Sequence, residues 1–280
     1  MTHLLVLTAS LGVSDDIASA AFDKLPNAAT PKRLSPNAVE IPFDGAASVN
    51  FPNIDANIVP AENRRKKLLI ADMDSTMIPV ECIDELADFA GVKERVAEIT
   101  ERAMQGKLDF EEAIHERVGL LTDLPETALE QCYLERISLN PGAKTLVQTM
   151  NKLGAMTALV SGGFTFFTTR VAARVGFQMN QANRLLASDG KLTGKVALPI
   201  LGQQAKLEAM NLFCENGGYS SADVLAVGDG ANDGAMVGAA GLGVAYHAKP
   251  ALVKIANARL YHSDLTALLS LQGIAESEYA

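Results

Sequence analysis

Ala71-Asp72-Met73-Asp74-Ser75-Thr76-Met77-Ile78-Pro79 (ADMDSTMIP) directly follows the apolar run Leu68-Leu69-Ile70. The run is short and uninterrupted, as in a strand covered on both faces. Two carboxylates at the tip of such a strand have no packing purpose, so the fold and the function both turn on why they are there. Similar runs recur at Thr157–Val160, Val224–Val227 and Leu242–Ala245, each bounded by Gly or Ser. Amphipathic segments separate them. Ala143–Leu153 aligns Leu146, Val147, Met150 and Leu153 on one stripe, and Gly154 marks its stop. Alternating strands and helices predict an α/β fold: a Rossmann-like parallel sheet with helices on both sides.

Two regions depart from this alternation. Residues 79–140 are acidic and helical in composition with no clear strand, and are expected to form an inserted helical cap. Residues 1–63 contain a strand at Leu4–Thr8, a weak helix at Asp15–Leu25 and six prolines between Pro26 and Pro60. That density of proline limits regular structure and predicts a small, partly irregular N-terminal module or arm. Glu62–Lys67 (ENRRKK) reads as a solvated linker into the core at 64–280. Asn183–Val196 is expected to be a hairpin turning at Asp189-Gly190.

The 280 residues carry a net charge of −9, which opposes non-specific binding to nucleic acid or anionic membrane. No uncharged apolar run approaches the roughly 18 residues of a membrane span. The amino terminus lacks the basic flank of a signal peptide. Cys82, Cys132 and Cys214 are widely spaced, which suits a reducing, cytoplasmic setting. The four His have no metal-ligand spacing. GDGANDG fails the dinucleotide fingerprint because Asp233 takes its last glycine position, and GKLTGKV fails the P-loop spacing.

In open α/β sheets, sites form at the carboxyl ends of strands. Three tips would converge here: Asp72-Met73-Asp74-Ser75-Thr76, Ser161-Gly162-Gly163 and Gly228-Asp229-Gly230-Ala231-Asn232-Asp233. Asp72, Asp74, Asp229 and Asp233 would then crowd one pocket, and carboxylates within about 4–6 Å raise one another's pKa. A hard divalent cation, with Mg²⁺ expected, resolves the conflict and in turn attracts phosphate.

These motifs, in this order, resemble the haloacid-dehalogenase-like phosphatases. DMDSTMIPVECIDELADFAG, ITERAMQGKLDFEEAIHERVGLL, LVSGGF and VGDGANDGAM are similar, over roughly residues 66–270, to the members that hydrolyse O-phospho-L-serine. The N-terminal 63 residues lie outside the resemblance. It implies Asp72 as nucleophile forming an aspartyl-phosphate, and Asp74 as general acid and then base. It implies Mg²⁺ on the Asp72 carboxylate, the Asp74 carbonyl and Asp229, with Asp233 organising the ion's water shell. Ser161, Gly162, Lys206 and Asn232 would hold phosphate. Glu81 would take the substrate's ammonium and Arg117 its carboxylate, with Met104 and Phe110 closing over the site. A small-molecule substrate, phosphoserine, is thus the implied partner, and a homodimer is left open. Two other readings stay open: a phosphotransferase or phosphatase for another small phosphorylated metabolite, and a non-catalytic phospho-amino-acid sensor.

Overall fold

The computed structural model describes residues 1–104 and 107–280, and the Met104 side chain also lies outside the described set. Strand β1 (His3–Thr8), helix α1 (Asp15–Phe22), β2 (Lys32–Ser35), β3 (Ala38–Phe43) and β4 (Asp55–Pro60) come first. These strands form an antiparallel sheet of order β2-β3-β1-β4, the arrangement of a split βαβ unit with residues 44–54 where a second helix would lie. The proline-rich segment is therefore more regular than its composition predicts. The prolines sit at joints: Pro36 in the β2–β3 turn, Pro60 at the end of β4, and Pro42 beyond the last β2 pair, Lys32↔Glu40. At those places a missing N–H breaks no ladder bond.

Alternation along β1 fixes how this sheet docks. Leu5 and Leu7 pack with Ala18 and Ala21 of α1, whereas Leu4 and Val6 join the main core. Arg64, expected in a solvated linker, is drawn inward instead. It pairs with the buried Glu40 at 2.7 Å and donates to the Ser270 and Leu271 carbonyls. Glu40 supplies the buried acid that the linker reading did not anticipate.

The core continues with β5 (Leu68–Ala71), then α2 (Cys82–Phe89), α3 (Lys93–Met104), α4 (Phe110–Gly119) and α5 (Thr127–Arg136), the helical insertion. After it come α6 (Ala143–Lys152), β6 (Met156–Phe164), α7 (Thr165–Val175) and β7 (Met179–Asn183). The hairpin β8 (Leu185–Ser188) and β9 (Lys191–Val196) turns at Asp189-Gly190, both with positive φ as a tight hairpin turn requires. The chain ends with α8 (Gln203–Gly217), β10 (Val224–Gly228), α9 (Gly234–Ala239), β11 (Leu242–Tyr246), α10 (Pro250–Val253), β12 (Ala258–Leu260) and α11 (Ala267–Leu271).

Among the described residues, the main sheet has six parallel strands in the order β12-β11-β10-β5-β6-β7. Its inner strands β5, β10 and β11 are buried on both faces, which explains their unbroken apolar runs. Leu69, Ala71, Leu159 and Val227 face the side of α6, α7 and α11, while Leu68, Ile70, Val160 and Ala226 face α8, α9 and α10. From β5 the chain continues to β6 on one side and later to β10 on the other. The crevice beyond the ends of β5 and β10 is thus the topological switch point.

The edge strand β12 is covered by β4. Asn57 donates through Nδ2 to the Arg259 carbonyl at 2.9 Å and accepts at Oδ1 from the Arg259 N–H at 2.8 Å. Asp55, also buried, accepts from the N–H groups of Tyr261 and His262 and from the Ser263 hydroxyl. Two side chains of β4 therefore do the work of a neighbouring strand against an exposed ladder.

Candidate active site

The Asp72 N–H donates to the Val227 carbonyl at 3.0 Å, extending the β5–β10 ladder by one residue and fixing Asp72 at the switch point. Its Oδ1 accepts from the Met73 N–H at 2.8 Å and contacts Lys206 Nζ at 2.7 Å. Lys206 enters from the first turn of α8, fully buried, and also donates to Asp233 Oδ1 at 2.6 Å. The other Asp233 oxygen accepts from the Asp229 and Gly230 N–H groups. The tight turn after β10 is thus tied down by one carboxylate, and Gly228 leaves the space that carboxylate fills.

Ligand oxygens of Asp72, Asp229 and Asp233 lie within 4.8 Å of one another, all three residues buried. Burial, with Asp233 alongside, raises Asp72, and Lys206 pulls it back. Burial and Asp233 push Asp229 up to about 6. Burial would lower Lys206, but Asp233 and Asp72 outweigh it and hold the ammonium above the usual lysine range. One lysine faces three clustered acids, and the remaining deficit is positive charge. Hard carboxylate oxygens at this spacing suit a metal ion.

Asp74 takes a separate place. Its Oδ1 accepts from the Cys82 N–H at 3.2 Å, and burial followed by the charge of Glu81 pushes it up to about 7. A carboxyl in that range still holds its proton in much of the population near neutral pH, as a general acid must. Gly163 is required beside it, because a Cβ there would lie 2.6 Å from Asp74 Oδ2 and 3.0 Å from Ser161 Oγ. The Ser161 hydroxyl oxygen accepts from the Gly163 N–H at 2.8 Å, so the loop is folded on itself next to Asp74.

The insertion closes over these groups. Glu81 precedes α2 and accepts from the Ser75 hydroxyl at 2.7 Å, where Ser75 adopts a positive φ of 56°. Burial lowers Arg117 on α4, while Asp84, Glu81 and Asp74 oppose the shift, which places its guanidinium in the field of the same acids. The Phe110 ring lies against both Gly162 and Gly202, since a Cβ at either would come within 3.2 or 3.0 Å of it. Asn232 is half-buried on the turn after β10, its amide oxygen against Gly230. Apart from Met104, whose side chain lies outside the described residues, the residues singled out from the sequence fall on the turns after β5 and β10, at the end of β6, on α8 beside them, or on the cap. Asn183 is the site residue that the sequence did not reveal. It is buried behind the Ser161 loop and reads as an ordinary polar residue at the start of a hairpin.

A family model for haloacid dehalogenase-like hydrolases matches residues 69–237. The chain belongs to this family. Within the haloacid dehalogenase-like hydrolases it is similar to the phosphoserine phosphatase of Archaeoglobus fulgidus, at 43% identity over 209 residues. The matched region is 75% of this chain and spans 60% of that relative's length. A substrate-bound phosphoserine phosphatase structure superposes with a TM-score of 0.69 at 40% identity, covering 74% of this chain and 98% of the other. A haloacid dehalogenase-family hydrolase from Salmonella enterica serovar Typhi superposes with a TM-score of 0.85 at 27% identity. It covers 97% of this chain and 98% of its own, so the likeness includes the N-terminal sheet. Among the described residues, no helix is long and apolar enough to cross a membrane.

Proposed function

We propose that the chain hydrolyses O-phospho-L-serine to serine and inorganic phosphate, with Mg²⁺ as its metal ion. The observation that carries this is the placement of Asp72: at the strand tip, against the Lys206 ammonium, beside two further acids, with a separate protonatable Asp74 next to it. Supporting it are the similarity to proteins named phosphoserine phosphatase and the presence in the cap of two groups of opposite charge, Glu81 and Arg117.

Asp72 Oδ2 would attack phosphorus, forming the Asp72–phosphate bond as the bond to the serine oxygen breaks. Asp74 would give its proton to that oxygen and then take one from the water that attacks the phosphoryl group. The second step breaks the bond to Asp72 and restores its carboxylate. Ser161, the Gly162 N–H, Asn232 and Lys206 would hold the phosphoryl oxygens, since such transfers depend mainly on positioning and charge stabilisation. Asp72, the Asp74 carbonyl and Asp229 would hold Mg²⁺, with Asp233 behind them, and the ion supplies positive charge to the phosphate. Glu81 and Arg117 would grip the ammonium and carboxylate of the amino acid. Residues 1–63 would be a small N-terminal module packed on the phosphatase core at 64–280, with a cap of about 79–140.

The test is phosphate release from phosphorylated amino acids and sugars, with Mg²⁺ and with chelator. The expected result is preference for phosphoserine, dependence on the cation, and loss of that preference in Arg117→Ala. Equal turnover of sugar phosphates, or unchanged selectivity in Arg117→Ala, would overturn the substrate assignment.

A further inference from the structure

Between β6 and β7 the ladder runs in register through Val160↔Gln181 and resumes at Phe164↔Asn183. Four residues are spanned on β6 against two on β7, so Ser161-Gly162-Gly163 bulges out of the sheet. Bulges next to functional sites re-aim side chains at a cost, because the looped backbone loses its ladder partners. Asn183 stands where pairing resumes, 2% exposed. Its Nδ2 donates to the Gly162 carbonyl at 2.9 Å and to the Leu201 carbonyl at 3.2 Å. Its Oδ1 accepts from the Leu201 N–H at 2.7 Å. Leu201 immediately precedes Gly202, the residue before α8, and α8 carries Lys206. On the outer side, the Phe110 ring rests on the same two loops at Gly162 and Gly202.

We propose that Asn183 is a positioning residue. It fixes the Ser161–Gly163 bulge and the start of the Lys206 helix to one another, so that the groups assigned to phosphate form one preset cradle. Without it, three backbone groups of two loops lose their partner, and each loop can shift independently. The inference rests on the phosphatase reading, but it can be measured apart from it. Inorganic phosphate is a probe of the cradle that needs no turnover.

The variants are Asn183→Leu and, as a matched control, Asn151→Leu. Asn151 also bridges two core elements, donating to the Gly176 carbonyl and accepting from the Thr157 hydroxyl, at the opposite end of β6. Thermal unfolding, inorganic phosphate binding, and kcat and KM for phosphoserine are measured for both. Both variants lower the melting temperature. Asn183→Leu alone weakens phosphate binding by about tenfold, as expected for the loss of one hydrogen bond's worth of fixing, and lowers kcat. If Asn183→Leu does not fold, Asn183→Ser takes its place in the same comparison. A folded variant whose phosphate affinity and kcat equal those of wild type overturns the proposal. A wild type that binds phosphate but releases none from phosphoserine overturns the phosphatase reading and leaves the role of Asn183 standing.

Discussion

Lys206→Met removes the ammonium that lies 2.7 Å from Asp72 and 2.6 Å from Asp233 while keeping the length of the side chain. The site is almost sealed, with 2% of the Lys206 side chain exposed and 5% and 0% of its partners. Breaking a buried ion pair from one side costs about 3–5 kcal/mol, because the partner's charge stays behind in low dielectric. Two acids are left here, so the upper part of that range is expected when no divalent cation is present. A cation bound by the Asp72, Asp229 and Asp233 cluster offsets part of this loss. At about 2–4 °C per kcal/mol for a domain of this size, the melting temperature in chelator falls by roughly 10 °C or more. Saturating Mg²⁺ recovers several degrees in the variant. The assay is thermal unfolding followed by circular dichroism, wild type against Lys206→Met, in chelator and in Mg²⁺. A variant as stable as wild type in chelator would refute the electrostatic account of the site, as would identical losses with and without the cation.

Gly163→Ala tests the packing of the acid. Its new Cβ would lie 2.6 Å from Asp74 Oδ2, so Asp74 must move, and a displacement near 1 Å costs about 100-fold in kcat. The melting temperature changes little, and steady-state phosphate release reads the loss. Asp55→Ala tests how the N-terminal sheet is held. It strands the Tyr261 and His262 N–H groups, while the Ser263 hydroxyl keeps Thr8 Oγ1 as a partner, at about 1–3 kcal/mol in urea unfolding. Its kcat should stay near that of wild type, because the substitution lies at the far side of β12.

Much of this architecture was legible because buried parallel strands leave a plain trace. Leu68–Ala71, Val224–Val227 and Leu242–Ala245 are unbroken apolar runs, and each became a strand within one residue of its expected end. The acids at the tips of the first two, Asp72 and Asp229, were conspicuous for the same reason: charge has no place there unless the site uses it. β7 (MNQAN) and β12 (ARL) left no such trace, since edge strands are half-covered and their residues need not be apolar. In the N-terminal segment, β1 was expected at Leu4–Thr8, whereas proline density hid β2, β3 and β4. Proline penalises a strand only where its missing N–H was needed. Arg64 and Asn183 were illegible for a related reason. Their roles depend on partners more than 15 residues away, Glu40, Leu271, Gly162 and Leu201 among them, which no local pattern announces.

The most direct measurement is an acid quench of the protein with phosphoserine carrying radioactive phosphate, followed by proteolysis and mapping of the labelled peptide. The account predicts label on the peptide containing Asp72, lost on brief exposure to alkali as an acyl phosphate is, and absent from Asp72→Asn together with turnover. Label on another residue, or phosphate release undiminished in Asp72→Asn, would contradict it.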